Sequence, residues 1–184
     1  MTFKYFVTII FFFCCHLFFA QAVPVKFLGN ITDDNGTVGG ANVLITQGGK
    51  TYGSTMTNAA GEFNFDLPLG GDFLIVVSKE GYVPKRFSVN TNGVPVEKQA
   101  NKFPIIEIEM GINKRYDGVD YSLLNQPISK YNYNPGKDNF EFDKPYLEQM
   151  IAGLMAIKEA EKAAKNRERD KEANYQAAVK EGDK

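Results

Sequence analysis

The sequence has no tryptophan, a single histidine and two cysteines, and these three rare residues are adjacent, at Cys14, Cys15 and His16. All three fall within Met1 to Ala22, which has the pattern of a secretory signal. Lys4 gives a positive start, Tyr5 to Phe19 is almost wholly apolar, and Ala20-Gln21-Ala22 fits a small-x-small cleavage site. Cleavage after Ala22 leaves a chain beginning at Val23 with neither cysteine nor histidine. Disulfides, thiolate catalysis, Cys/His zinc centres and histidine general bases are thereby excluded, and no cofactor or metal is expected. A lipoprotein signal needs a small residue before the modified cysteine, whereas Phe13 precedes Cys14 and Cys14 precedes Cys15. An uncleaved anchor needs about 20 apolar residues, and this run is shorter and interrupted by His16. The expectation is an exported chain without stable membrane insertion. Export without cysteine suits a bacterial envelope protein, whether periplasmic, outer-membrane-associated or secreted.

A strong charge imbalance is also missing. Without Lys4, the remaining 20 basic residues face 22 acidic ones, a net charge of −2. No broad field is available to attract nucleic acid or anionic lipid, so neither is expected as a partner.

What the chain does have is glycine and aromatic residues, 17 Gly, 15 Phe and 9 Tyr, arranged as short alternating runs between turns. Val25 to Ile31 reads as a strand with Val25, Phe27, Gly29 and Ile31 on one face. Asp33-Asp34-Asn35-Gly36 follows as a turn, since it lacks the acidic spacing of a calcium loop. Ala41 to Gln47 and Lys50 to Thr57 flank Gly48-Gly49, a two-residue hairpin signal. In Thr57 to Gly70, Gly61 precedes Phe63 and Phe65, whose spacing of two puts both rings on one sheet face. Asp72 to Lys79 carries the continuous apolar run Phe73-Leu74-Ile75-Val76-Val77 of a central strand. Lys85 to Asn90 is more polar and is assigned to an edge. Thr91 to Lys102 reads as a loop, and Phe103 to Met110 alternates again, with Pro104 tolerated at its start. Seven strands at this spacing, with no helical pattern between them, predict an antiparallel β-sandwich.

The motifs from Phe27-Leu28-Gly29-Asn30-Ile31 through Asp34-Asn35-Gly36, Gly40-Ala41-Asn42-Val43, Thr55-Met56-Thr57-Asn58, Gly61-Glu62-Phe63-Asn64-Phe65, Leu67-Pro68-Leu69-Gly70 and Lys79-Glu80-Gly81-Tyr82 resemble the carboxypeptidase regulatory-like domain over about residues 24–110. The resemblance implies a mainly β, transthyretin-like (prealbumin-like) sandwich of the carbohydrate-binding-like kind, non-catalytic and suited to binding or spacing. It also implies an extracytoplasmic bacterial setting. Gly61, Phe63, Phe65, Gly70, Gly81 and Tyr82 form its structural signature.

Beyond Gly111 the pattern changes. Residues 1–22 are read as signal, 23–110 as sandwich, 111–143 as linker and aromatic hairpin, and 144–184 as a long C-terminal helix. Gly111 to Gln126 is an irregular linker expected to dock partly on the sandwich. Alternation on both sides of Pro135-Gly136-Lys137-Asp138 predicts a hairpin with Tyr131, Tyr133, Phe140 and Phe142 on one face, which needs cover. The helix starts near Asp143 to Pro145 and carries a stripe of Leu147, Met150, Ile151, Leu154, Met155 and Ile157. Past Ile157 it becomes alanines among alternating charges, with Glu161 and Lys165 spaced to pair. Its last two dozen residues are expected to fade from solvated helix into disorder.

Catalysis would have to be built from pairs such as Asp117 with Asp120 or Glu107 with Glu109. No nucleophile, base and orienting group can be assembled from any local motif, so a non-enzyme is expected. The residues expected to meet a partner are Tyr131, Tyr133, Phe140, Phe142, Met150 and Leu154. The leading functional expectation is an accessory subunit that binds an envelope protein. The alternative is a carbohydrate-binding module in which Tyr131 and Tyr133 form a platform beside Asn132 and Asn134.

Overall fold

The computed structural model describes residues 22–182, so the expected signal segment lies, but for Ala22, outside the described residues. Strand β1 (Val25–Asp33) follows its alternation, burying Val25, Phe27 and Ile31 completely while Lys26 and Leu28 face outward. Gly29 falls on the inner side, where the Phe63 ring lies against the backbone and leaves no room for a Cβ. β2 (Gly36–Thr37) folds back on the end of β1 after the Asp33 turn, in which the Asp33 carboxylate accepts from Asn35 N at 2.8 Å. β3 (Asn42–Gln47) and β4 (Lys50–Met56) form the expected hairpin, with Gly48 and Gly49 at φ +56° and +77°.

β5 (Glu62–Leu67) pairs antiparallel with β1 and buries Phe63, Phe65 and Leu67. β6 (Asp72–Ser78) buries Phe73, Ile75 and Val77, and its other face, with Leu74 and Val76, is half-buried, which accounts for its unbroken apolar run. β7 (Lys85–Asn90) pairs with β6, and β8 (Ile106–Gly111) runs parallel to β1. β9 (Ser129–Asn134) and β10 (Asn139–Phe142) complete two sheets: β5, β1, β2 and β8 in one, and the order β10-β9-β7-β6-β3-β4 in the other. The core fills the space between them, with Phe27 stacked on Phe65 at 5.1 Å from one sheet and Val43, Ile75, Phe87 and Val89 from the other.

The mainly β sandwich is as expected, with three differences. Among the described residues there are ten strands, because the two-residue β2 adds to the seven of the sandwich and the two of the hairpin. Two of the pairings, β1 with β8 and β7 with β9, are parallel. Lys85 to Asn90 is not an edge: β9 pairs with it from Phe87↔Ser129 to Asn90↔Asn132, so β7 lies between β6 and β9. Its polar composition reflects only its outward side, for Phe87 and Val89 are fully buried.

Two buried threonines join the loops to the sheets. Thr57 Oγ1 donates to Val38 O at 2.7 Å and accepts from Ala41 N at 2.9 Å. Thr91 Oγ1 donates to Pro68 O at 2.8 Å and accepts from Gly71 N at 3.0 Å.

Of the signature residues, Phe63 and Phe65 are buried, and Gly61, Gly70 and Gly81 have positive φ. Gly61 sits at φ +78°, in a turn closed by Asn58 Oδ1, which accepts from Ala60 N and Glu62 N at 2.9 Å each. A Cβ at Gly61 would collide with the Ile31 carbonyl. Gly61→Ala is therefore expected to cost about 3 kcal/mol, from the left-handed backbone and the backbone overlap together. Urea unfolding checks it, with an unchanged midpoint as the contrary result.

Candidate functional site

The extension after β8 is built onto the end of the sandwich by backbone pairing. Ile112 N donates to Thr32 O at 2.8 Å, Val83 N to Asn113 O at 2.9 Å, and Arg115 N to Gly81 O at 2.9 Å. The linker then places Tyr121 and Leu124 beside Val83 in a small second cluster, and Arg86 Nη1 donates to Leu124 O at 2.7 Å.

The hairpin brings together the four rings expected on one face, pairing Phe140 with Tyr133 and Phe142 with Tyr131. They differ in fate because β9 is joined to β7. Tyr131 is set edge-on to Phe27 at 6.4 Å and to Phe87 at 6.1 Å, and burial pushes its hydroxyl pKa up. Phe140 is 3% exposed and meets Phe103 at 5.3 Å, and Tyr133 meets Phe103 at 6.1 Å. The Tyr133 hydroxyl donates to Asp138 at 2.5 Å, and that carboxylate pushes its pKa up to about 12. Asp138 also meets Lys98 at 3.0 Å, and both partners hold its own pKa down. Phe142 alone of the four stands open, at 42% exposure.

Helix α1 (Lys144–Gly182) begins where the sequence indicates. Asp143 Oδ1 accepts from Tyr146 N at 3.0 Å as an N-cap, Tyr146 OH donates to Pro127 O at 2.6 Å, and Lys130 Nζ lies 3.9 Å from the centre of the Tyr146 ring. The expected stripe divides in two. Met150 is buried and Leu147, Leu154 and Ile157 are half-buried, whereas Ile151 and Met155 are 40% and 63% exposed. The inward face runs on to Glu161, 6% exposed, and Ala164, 2% exposed. The helix packs in cis as far as Ala164 and continues to Gly182, with residues 165–181 all exposed. The disordered end expected of the chain falls on residues that include 183 and 184, which lie outside the described residues.

The Glu161–Lys165 pair expected from spacing does not form, because Glu161 is turned inward. Glu161 Oε2 accepts from Asn113 Nδ2 at 2.5 Å, and Lys165 meets Asp34 at 3.3 Å instead. Lys85 Nζ completes this clasp, donating to Gly111 O at 2.5 Å and Asn113 Oδ1 at 3.1 Å. Burial raises the Glu161 pKa and lowers that of Lys85, each driven toward its neutral form and each partly held back by the other's charge. The sequence marks Glu161 only as a partner for Lys165 and gives neither Lys85 nor Asn113 a contact role. The helical period extended past Ile157, through Glu161 to Ala164, is the signal that finds Glu161.

Of the carboxylates weighed for catalysis, Glu107 and Glu109 are exposed on the outer face of β8, and Asp117 is exposed. Asp120 accepts from Ser122 N at 2.8 Å, which lowers its pKa. Among the described residues no three acidic, histidine or cysteine side chains are grouped to hold a metal.

Residues 26–101 match the family model of the carboxypeptidase regulatory-like domain, within the span marked by the sequence resemblance. Among solved structures the chain is similar to 3-chlorocatechol 1,2-dioxygenase from Rhodococcus opacus 1CP, at 12% identity and a TM-score of 0.37, covering 52% of this chain and 61% of that one. It is also similar to the Bacillus anthracis TIE protein, at 22% identity and a TM-score of 0.36, covering 49% of this chain and 18% of that one. A third likeness is to a chain of a type II cohesin–X-dockerin complex from Acetivibrio cellulolyticus, at 14% identity and a TM-score of 0.33, covering 52% of this chain and 61% of that one. Each match spans less than two thirds of the other chain's length, and no activity carries over from any of them. Among curated proteins none matches the sequence.

Two outcomes are expected. Tyr131→Ala should lower stability by about 3 kcal/mol, as a large ring deleted from a packed site, measured by urea unfolding; a loss below about 0.5 kcal/mol would mean the ring is not part of the core. The second concerns pH. A carboxyl whose pKa is raised on folding stabilises the fold while protonated, and that contribution falls as pH rises from 4.5 through the folded pKa. Glu161→Gln keeps an acceptor for Asn113 and removes the buried charge. Its stability relative to the original chain should therefore rise between pH 4.5 and 7, and a constant difference across that range would be the contrary result.

Proposed function

We propose that this protein is an exported, non-enzymatic accessory subunit of a bacterial envelope assembly, and that it works by protein–protein contact through the outer side of its hairpin and helix. The observation that carries this reading is the division of the helix stripe. Met150 and Leu154 are engaged with the protein's own body, while Ile151 and Met155, four residues apart on one side of α1, stay 40% and 63% exposed. Phe142, at the end of β10, is 42% exposed. Of the six residues marked by the sequence as partner contacts, Tyr131, Tyr133, Phe140, Met150 and Leu154 hold the extension in place. Phe142 keeps the contact role and is joined by Ile151 and Met155. The N-terminal signal pattern supports export, and no described helix is long and apolar enough to cross a membrane. The glycan-binding alternative relies on Tyr131 and Tyr133, whose rings are packed against Phe27, Phe87, Phe103 and Phe140, so protein contact is preferred.

Affinity purification from the native cells, with mass spectrometry, tests this reading. A protein recovered with the original chain and lost with the Ile151→Glu/Met155→Glu double variant, whose melting midpoint is unchanged, is the expected outcome. Equal recovery with both, or nothing above background with either, would contradict it.

A further inference from the structure

The Asn113 carboxamide lies between an amine and an acid. Lys85 Nζ donates to its Oδ1 at 3.1 Å and Glu161 Oε2 accepts from its Nδ2 at 2.5 Å, so the amine meets the carbonyl end of the amide and the carboxyl meets its nitrogen. A C=O bond is about 1.23 Å long, which places Nζ no more than about 4.3 Å from Asn113 Cγ. Reactive approach needs about 3–3.5 Å, within reach of a rotation at the end of the lysine side chain. The backbone on both sides is fixed. Lys85 pairs with Val77 in the sheet, and Val83 N donates to Asn113 O at 2.9 Å. Glu161 is buried, as are Val83, Ile112 and Tyr121 around the group. Among the described residues Lys85 enters no ion pair, and burial drives it toward the free amine while driving Glu161 toward the neutral acid. A desolvated neutral lysine is the form that acts as a nucleophile.

We propose that the protein joins Lys85 to Asn113 by an amide bond of its own making, with Glu161 as the catalytic acid and base. The Nζ lone pair attacks Cγ, the Nζ–Cγ bond forms, and the C=O electrons move onto Oδ1. Glu161 gives its proton to Nδ2. The carbonyl then re-forms, the Cγ–Nδ2 bond breaks, and Nδ2 leaves as ammonia. Glu161 recovers its proton from Nζ. A lysine amine and a carboxamide thus give a secondary amide and one ammonia, with no change in oxidation state. Asn113 and Glu161 help to line a cleft of about 400 Å³ between the β1–β2 turn, the linker and α1, which gives the ammonia a way out. The bond ties the start of β7 to the linker just after β8. It goes beyond the proposed partner contact and does not depend on it.

Intact-mass measurement of the purified chain, followed by tryptic digestion and fragmentation, tests the bond. The original chain is expected to weigh one ammonia less than its sequence and to yield a branched peptide joining Lys85 to Asn113, uncut after Lys85. Lys85→Gln should keep the full mass. Glu161→Gln should slow bond formation about a hundredfold, as a general acid and base is lost, and freshly purified protein should also keep the full mass. Dispersed amide NMR spectra establish that each chain is folded. Full mass in the folded original chain, or ammonia loss that persists in Lys85→Gln, would overturn the proposal. So would a Glu161→Gln variant as completely crosslinked as the original.

Discussion

The parallel pairing of β9 with β7 is the constraint on which the second half of the molecule depends. Its register, Phe87↔Ser129 to Asn90↔Asn132, sets the Tyr131 ring edge-on to Phe27 and Phe87, between the two sheets. A hairpin that would be marginal alone becomes two further strands of an existing sheet. The same register fixes the helix. Asp143 N donates to Lys130 O at 2.7 Å, and Asp143 is the N-cap residue, so the start of α1 is tied to the start of β9. The inward residues of α1, Met150 to Ala164, then lie toward the linker by geometry.

Polar contacts fix that geometry more narrowly than apolar ones could. Lys85, Asn113 and Glu161 link β7, the linker and α1 at one point, and each atom that leaves water there finds a partner. Burying charge is costly, and the opposite shifts of Glu161 and Lys85 express that cost. What the clasp adds is position: a helix rotated by one residue would carry Glu161 away from Asn113 and bring no acceptor in its place.

The sandwich was legible because its information is local. Alternation at Val25 to Ile31 and at Phe63 and Phe65, Gly-Gly at 48 and 49, and the Pro-Gly turn at 135 and 136 each determine their own strand or turn. What was not legible depends on partners far along the chain. β7 reads as an edge because nothing within it announces a parallel neighbour some forty residues later. β2 is too short for any pattern. In the helix, alternating charges masked the inward period, so Glu161 was paired by spacing with Lys165 when its real partner, Asn113, lies 48 residues away. The same long-range packing separated the expected contact residues, taking Tyr131, Phe140 and Met150 into the body and leaving Phe142 outside.

Functional interest consequently moves away from the family-matched domain to the surfaces made by its extension, and those surfaces exist only if the extension folds as part of the sandwich. Hydrogen exchange on the intact chain measures this most directly. The amides of residues 129–134 should be protected to nearly the same degree as those of 72–78 in the centre of the same sheet, since β9 is flanked on both sides. Exchange of residues 129–134 at the rate of a free peptide, with 72–78 still protected, would show the hairpin and helix to be a loose appendage and contradict the account.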